Sequence, residues 1–239
     1  MTGWKKYALL CTLLLTALGQ CQNATVTGRI NLVDKAAVSV ADKSNVVVWL
    51  TPVDDPVTSP APLPVNQHAQ LLQKDKSFKP HVLVIPAGTV VSFPNRDPIF
   101  HNVFSLFEGK RFDLGLYEAG TTRAVHFDRP GVSYIFCNIH PEMSAVVVVM
   151  ATPYYGTSNR RGEISIANVP PGRYTLHVWH ERSLPEMLKN LTREILIPEG
   201  VASFGTLHVV EAANLYQAHK NKYGRDYDPP GPIDSTYNH

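Results

Sequence analysis

The residues with most chemical potential lie in one short run, Phe136-Cys137-Asn138-Ile139-His140-Pro141-Glu142-Met143, with His101 upstream. Together they offer a thiolate, two imidazoles and a thioether. A trigonal His₂Cys plane completed by a weak axial Met is the donor set of a mononuclear type 1 copper centre. Thiolate and thioether favour Cu(I), imidazole serves both oxidation states, and no carboxylate is needed in the set. Taken singly, each residue has a plain packing explanation. A lone buried Cys is most often an inert small hydrophobe, and a Met near a strand start is most often core. Packing does not explain their joint occurrence with His140 between them and Pro141 behind it.

A Cys-x₂-His-x₂-Met run fits a single tight loop between two strands, so the fourth donor has to come from a distant strand, and His101 can supply it. The chain around these residues reads as strands. Short apolar runs at about 81–85, 88–94, 101–105, 121–127, 131–137 and 145–151 are separated by Pro-Ala-Gly, Asn-Arg-Asp-Pro and Arg-Pro-Gly turns. Phe112-Asp113-Leu114-Gly115 predicts a further short strand, and residues 67–76 read as a loop or a short helix. The continuous run Val46-Val47-Val48-Trp49-Leu50 suits a strand buried on both faces. After Tyr154-Tyr155-Gly156, alternating segments at Gly162 to Ala167, Arg173 to Trp179, Leu191 to Ile197 and Ser203 to Val210 predict about four more strands.

Phe136 to Met143 resembles the ligand loop of small cupredoxins, with spacing nearest to amicyanin and pseudoazurin and shorter than in plastocyanin. Phe100-His101-Asn102-Val103 resembles the plastocyanin segment that carries the first histidine ligand. Phe78-Lys79-Pro80, Val82 to Val84, Ala87-Gly88-Thr89-Val90 and Phe93-Pro94-Asn95 with Asp97 follow the same pattern, so the resemblance covers about residues 78–150. It implies a Greek-key cupredoxin β-sandwich with His101, Cys137, His140 and Met143 as ligands to one Cu(I)/Cu(II) ion. It also implies that Asn102 ties the two ligand loops together. Gly162 to His180 resembles carboxypeptidase-regulatory-like β-sandwiches, as does Thr27-Gly28-Arg29-Ile30 followed by Val46 to Leu50. The combination is similar to that of exported bacterial methylamine-utilisation-type cupredoxin proteins.

The expected fold class is therefore all-β, a cupredoxin sandwich plus a second small sandwich. The copper domain is expected at 78–152, or from 45 if Val46 to Leu50 forms its first strand. The second sandwich is expected at 153–211, completed by 25–55 if the copper domain is inserted in it. The insertion is the favoured arrangement. Residues 212–239, rich in Tyr, Asp, Pro and Gly without a periodic apolar face, read as an extended or disordered tail.

Lys5 and Lys6, the apolar stretch from Tyr7 to Leu18 and the small residues before Gln20 read as a secretory signal peptide over residues 1–20. The expected location is periplasmic or secreted, with lipid attachment at Cys21 as the lesser alternative because Gln20 stands where a small residue is usual. Without this segment the formal charge falls from +2 to about zero, which leaves no basic excess for nucleic acid. No later segment is suited to spanning a membrane. Cys137 is then the only thiol inside the fold.

Several chemistries lack their motifs. There is no His-Cys-His triplet for a trinuclear copper cluster and no second Cys in the loop for a binuclear one. No His-Glu-x₂-His or Cys-x₂-Cys pair suggests zinc, and no Gly-x-Ser-x-Gly elbow appears. His177 and His180, three apart on a predicted strand, fall on opposite faces and read as structural, while His81 and His126, within predicted strands, read as packing or surface residues rather than ligands. The expected function is a non-enzymatic electron carrier whose redox partner docks near His140, on an apolar patch of Ile99, Phe100, Ile139 and Pro141. The alternative is a copper storage, delivery or sensing module that recognises partners through its second sandwich.

Overall fold

Two strands carry apolar residues at almost every position, and their neighbours explain why. In the computed structural model, strand β2 (Val47–Pro52) and the residue before it send Val46, Val48 and Leu50 into one core and Val47 and Trp49 into another. Strand β11 (Ser144–Met150) does the same, with Ala145, Val147 and Val149 on one side and Val146, Val148 and Met150 on the other. Alternate residues of a strand face opposite sides of the sheet. A strand sandwiched between two cores therefore loses the polar alternation of a surface strand.

The structure describes residues 22–54, 69–106, 109–212 and 220–227. The expected signal segment, Cys21 and residues 55–68 of the Pro-rich loop lie outside the described residues. The described chain is all-β apart from one short helix, α1 (Pro185–Lys189), and its strands stack in four layers. In the first, β1 (Ala24–Val33) lies between antiparallel β13 (Glu163–Val169) and parallel β16 (Val201–Val210). The second has the order β12 (Tyr155–Thr157), β2, β14 (Gly172–Trp179), β15 (Arg193–Ile197), antiparallel throughout. Val46 to Leu50 thus belongs with strands that follow residue 154. The third has the order β5 (Val82–Pro86), β11, β10 (Gly131–Cys137), β7 (His101–Ser105), β8 (Phe112–Tyr117). Two pairs form the last layer: β6 (Thr89–Pro94) with β9 (Thr122–Phe127), and β3 (Leu72–Gln73) with β4 (Phe78–Lys79).

Each gap between layers is filled by its own apolar cluster. Ile30, Leu50, Ile166, Leu176 and Val209 fill the first, and Val47, Val146, Val148 and Met150 with Trp49 and Trp179 fill the second. Phe93, Phe127, Ile135, Val103 and Val147 fill the third, which also contains Cys137 and Met143. No helix among the described residues is long and apolar enough to cross a membrane.

Of the tail expected to be extended or disordered, residues 213–219 and 228–239 lie outside the described residues, and residues 220–227 form a turn. Asn221 accepts the N–H groups of Tyr223 and Arg225 on its side-chain oxygen, and its own N–H donates to the Arg225 carbonyl. Gly224 adopts the left-handed conformation that closes the turn. This turn is fastened to the loop after β10, a contact that composition alone does not encode.

Candidate metal centre

Register brings the donors together. In the β10–β7 pairing Phe136 lies opposite Phe104 and Cys137 opposite Val103, so the thiol at the end of β10 arrives beside His101 at the start of β7. Beyond Cys137 the chain turns back at once. The Met143 N–H donates to the His140 carbonyl (3.1 Å), the Cys137 N–H donates to the Met143 carbonyl (3.2 Å), and Phe136 pairs with Ser144. This closed loop is tied to β7 by the Asn138 N–H, which donates to the Asn102 carbonyl (2.8 Å). Asn102 thus links the segments that carry His101 and Cys137 through its backbone, while its side-chain amide donates to Asp113 (2.7 Å).

His101, Cys137 and His140 converge, with one donor atom from each lying within 4.8 Å of the others. His101 Nδ1 and His140 Nδ1 are 3.1 Å apart, and Cys137 Sγ stands 3.7 Å from the first and 3.5 Å from the second. A point in the plane of this triangle lies about 2.0 Å from all three atoms, close to the bond lengths of first-row metals to imidazole and thiolate, roughly 2.0–2.3 Å. The donors therefore fit one metal ion without rearrangement. Met143 is fully buried in the same loop and packs in the same apolar cluster as Cys137.

A carboxylate absent from the sequence-based ligand set supports this triangle. His101 Nε2 lies 2.9 Å from Asp97 Oδ2, with both residues buried. A ring nitrogen facing a carboxylate carries the proton, which leaves Nδ1 as the lone-pair donor aimed at the triangle. Asp97 is itself held by the N–H groups of Asp75 (2.6 Å) and Lys76 (3.0 Å). Its own N–H donates to Asn95, whose amide donates to the Ile99 carbonyl. Burial works against the Asp97 charge, but the hydrogen bonds from His101, Lys76 and Asp75 outweigh it and hold the carboxyl below its ordinary value. In the sequence Asp97 stands out only as a member of the Phe93-Pro94-Asn95 pattern, and its link to His101 shows only as the spacing Asp97-x₃-His101. In an irregular loop that spacing has no fixed geometric meaning.

Burial raises the Cys137 thiol above its ordinary value, against the opposing hydrogen bonds of the Ile139, Asn102 and His140 backbone. A bound cation reverses that balance, since a coordinating thiol is deprotonated outright. Burial also lowers the His140 imidazole, and the neighbouring His101 adds to the effect. His140 is the outermost of the three and lines an apolar groove with Pro98, Ile99, Phe100 and Ile139. Phe100 is 52% exposed and Ile139 45%, so these members of the expected patch face solvent, as does Pro141.

Three further histidines among the described residues are engaged elsewhere. His177 stacks on Trp49 and shares a hydrogen bond with Thr51, His180 pairs with Ser183, and His81 pairs with Glu181 across the layers.

No family model and no curated protein matches this chain. Solved structures do, in part. A purple cupredoxin from Nitrosopumilus maritimus is 28% identical over 34% of this chain and 99% of its own, with a TM-score of 0.32. A copper-containing nitrite reductase (NirK) from Thermus scotoductus SA-01 is 24% identical over 42% of this chain and 27% of its own, with a TM-score of 0.34. An amicyanin variant in its reduced state is 19% identical over 36% of this chain and 85% of its own, with a TM-score of 0.34. The chain spans about a quarter of the nitrite reductase, and every one of these likenesses is confined to less than half of this chain.

Proposed function

We propose that this chain is an exported, mononuclear type 1 copper protein that carries electrons. The observation that carries the reading is the His101–Cys137–His140 triangle, whose edges of 3.1, 3.5 and 3.7 Å fit one metal ion as they stand. Two imidazoles, one thiolate and the thioether of Met143 form a set that suits copper in either oxidation state. Bound copper would supply a one-electron couple.

The protein's part is to keep the donors still while charge changes. His101 is fixed by Asp97, Cys137 by its place at the end of β10, and His140 by the loop hydrogen bonds. Three of the four side chains are fully buried, which favours retention of the ion over its release. His140 lies at the rim, where the apolar groove offers a brief docking surface to a redox partner. The first two layers favour the second reading, delivery or sensing, because they add surface that a simple carrier does not need.

Retention separates the two. Copper-loaded protein should pass through repeated reduction and reoxidation with its metal retained in the presence of a Cu(I) chelator. Stoichiometric transfer of Cu(I) to the chelator on the first reduction would favour delivery.

A further inference from the structure

The C-terminal segment makes three contacts that converge on the sulfur ligand. The phenol of Tyr227 donates to the Cys137 carbonyl oxygen (2.7 Å). The Lys222 backbone N–H donates to the side-chain oxygen of Asn138 (2.9 Å). The Lys222 ammonium reaches Asp113 (2.8 Å), whose other oxygen accepts from Asn102. Residues 222 and 227 thereby bind the end of β10, the turn that follows it and β8, and through Asn102 they reach the strand that carries His101.

The segment is built to hold this shape. Asn221 organises the turn from within, and Lys220 pairs with Asp226 at 2.6 Å. On the outer side a groove runs between Asn138 and Ile139 on the loop and Tyr223, Arg225 and Tyr227 on the segment.

We propose that residues 220–227 form a strap that locks the Cys137–Asn138 turn and slows exchange at the sulfur ligand, with Tyr227 as its positioning residue. The Cys137 side chain is fully buried, so reagents and metal carriers reach it only when the turn opens. Each strap contact adds to the cost of that opening. The proposal rests on the copper reading for its metal-exchange half and is independent of it for the thiol.

The test is the rate of Cys137 alkylation by iodoacetamide in the metal-free full-length protein at one fixed pH. Tyr227→Phe keeps the ring and loses the hydrogen bond, and should alkylate about fivefold faster, the factor one neutral hydrogen bond is worth. A chain ending at residue 219 should be tenfold or more faster, since a charge-assisted pair is lost as well. Should the shortened chain melt early, Lys222→Met carries the same comparison. Tyr223→Phe, on the exposed face of the strap, should match wild type. In the copper-loaded proteins, loss of metal to a chelator should accelerate in the same order. Equal alkylation rates in wild type, Tyr227→Phe and the shortened chain would overturn the strap, and so would an equal effect of Tyr223→Phe. Faster alkylation in a protein that binds no copper would leave the strap in place and remove the copper reading.

Discussion

At the scale of single residues, Asp97 has the largest consequence for what His101 can do. A carboxylate behind a ligating imidazole fixes its tautomer and raises its basicity, and losing such a partner typically weakens metal binding 10–100-fold. Asp97→Asn keeps the volume and removes the charge facing His101 Nε2. Copper(II) affinity, measured by competition with a chelator, should fall by about that factor. An unchanged affinity would mean that His101 is oriented by its strand alone. The residues that converge here, His101, Cys137 and His140, stand out in the sequence because Cys and His at this spacing are a chemical statement in a way that apolar residues are not. The roles of Asp97 and Tyr227 were not legible. One acts from an irregular loop, and the other crosses 90 residues of chain to reach its partner.

At the scale of elements, β2 and β11 show how one strand serves two cores. Val147 and Val148 are neighbours in sequence and face opposite clusters, the first toward the cluster that contains Cys137 and the second toward the β2–β14 sheet. Each is buried, and Val→Ala at either site should cost about 1.5–3 kcal/mol. If the layers unfold as one unit, chemical denaturation of Val148→Ala should show a single transition by all probes. Separate transitions for the two sides would make the junction a soft contact. The strands around the site were readable because short apolar runs bounded by Gly and Pro turns leave little else to form, and the run at 131–137 matches β10 residue for residue. The two-residue strands β3 and β4, the three-residue β12 and the five-residue α1 were not read. Elements this short carry at most about one and a half periods of their pattern, too little to stand out, and α1 has Pro185 in its first turn but no side-chain cap.

At the scale of the whole molecule, the layers are also joined by polar groups that titrate. His81, just before β5, pairs with Glu181, just after β14, at 2.6 Å, and this pairing raises its pKa. A raised histidine contributes stability that is present below the unfolded value of about 6.5 and is lost as pH rises through the folded value. His180 behaves in the opposite sense. Burial, with Arg182 adding to it and Glu181 opposing, pushes it down to about 4. The ring hydrogen-bonds with Ser183 and has Glu211 at 3.8 Å. Its contribution is present above pH 6.5 and is lost as pH falls toward 4, on the order of 2–3 kcal/mol. Thermal melts of His180→Gln should therefore show a flatter acid limb than wild type between pH 6.5 and 4. Parallel curves would mean that the ring takes up its proton in the folded state without penalty.

The most direct test of the whole account is the visible spectrum of the protein loaded with one equivalent of Cu(II). A thiolate in a trigonal His₂Cys site gives an intense sulfur-to-copper charge-transfer band, and Cys137 is the free cysteine among the described residues. The account predicts a strongly coloured protein, with the colour abolished in Cys137→Ser while the β-sheet circular dichroism is unchanged. A colourless protein holding stoichiometric Cu(II), or a Cys137→Ser variant that keeps the band, would contradict it.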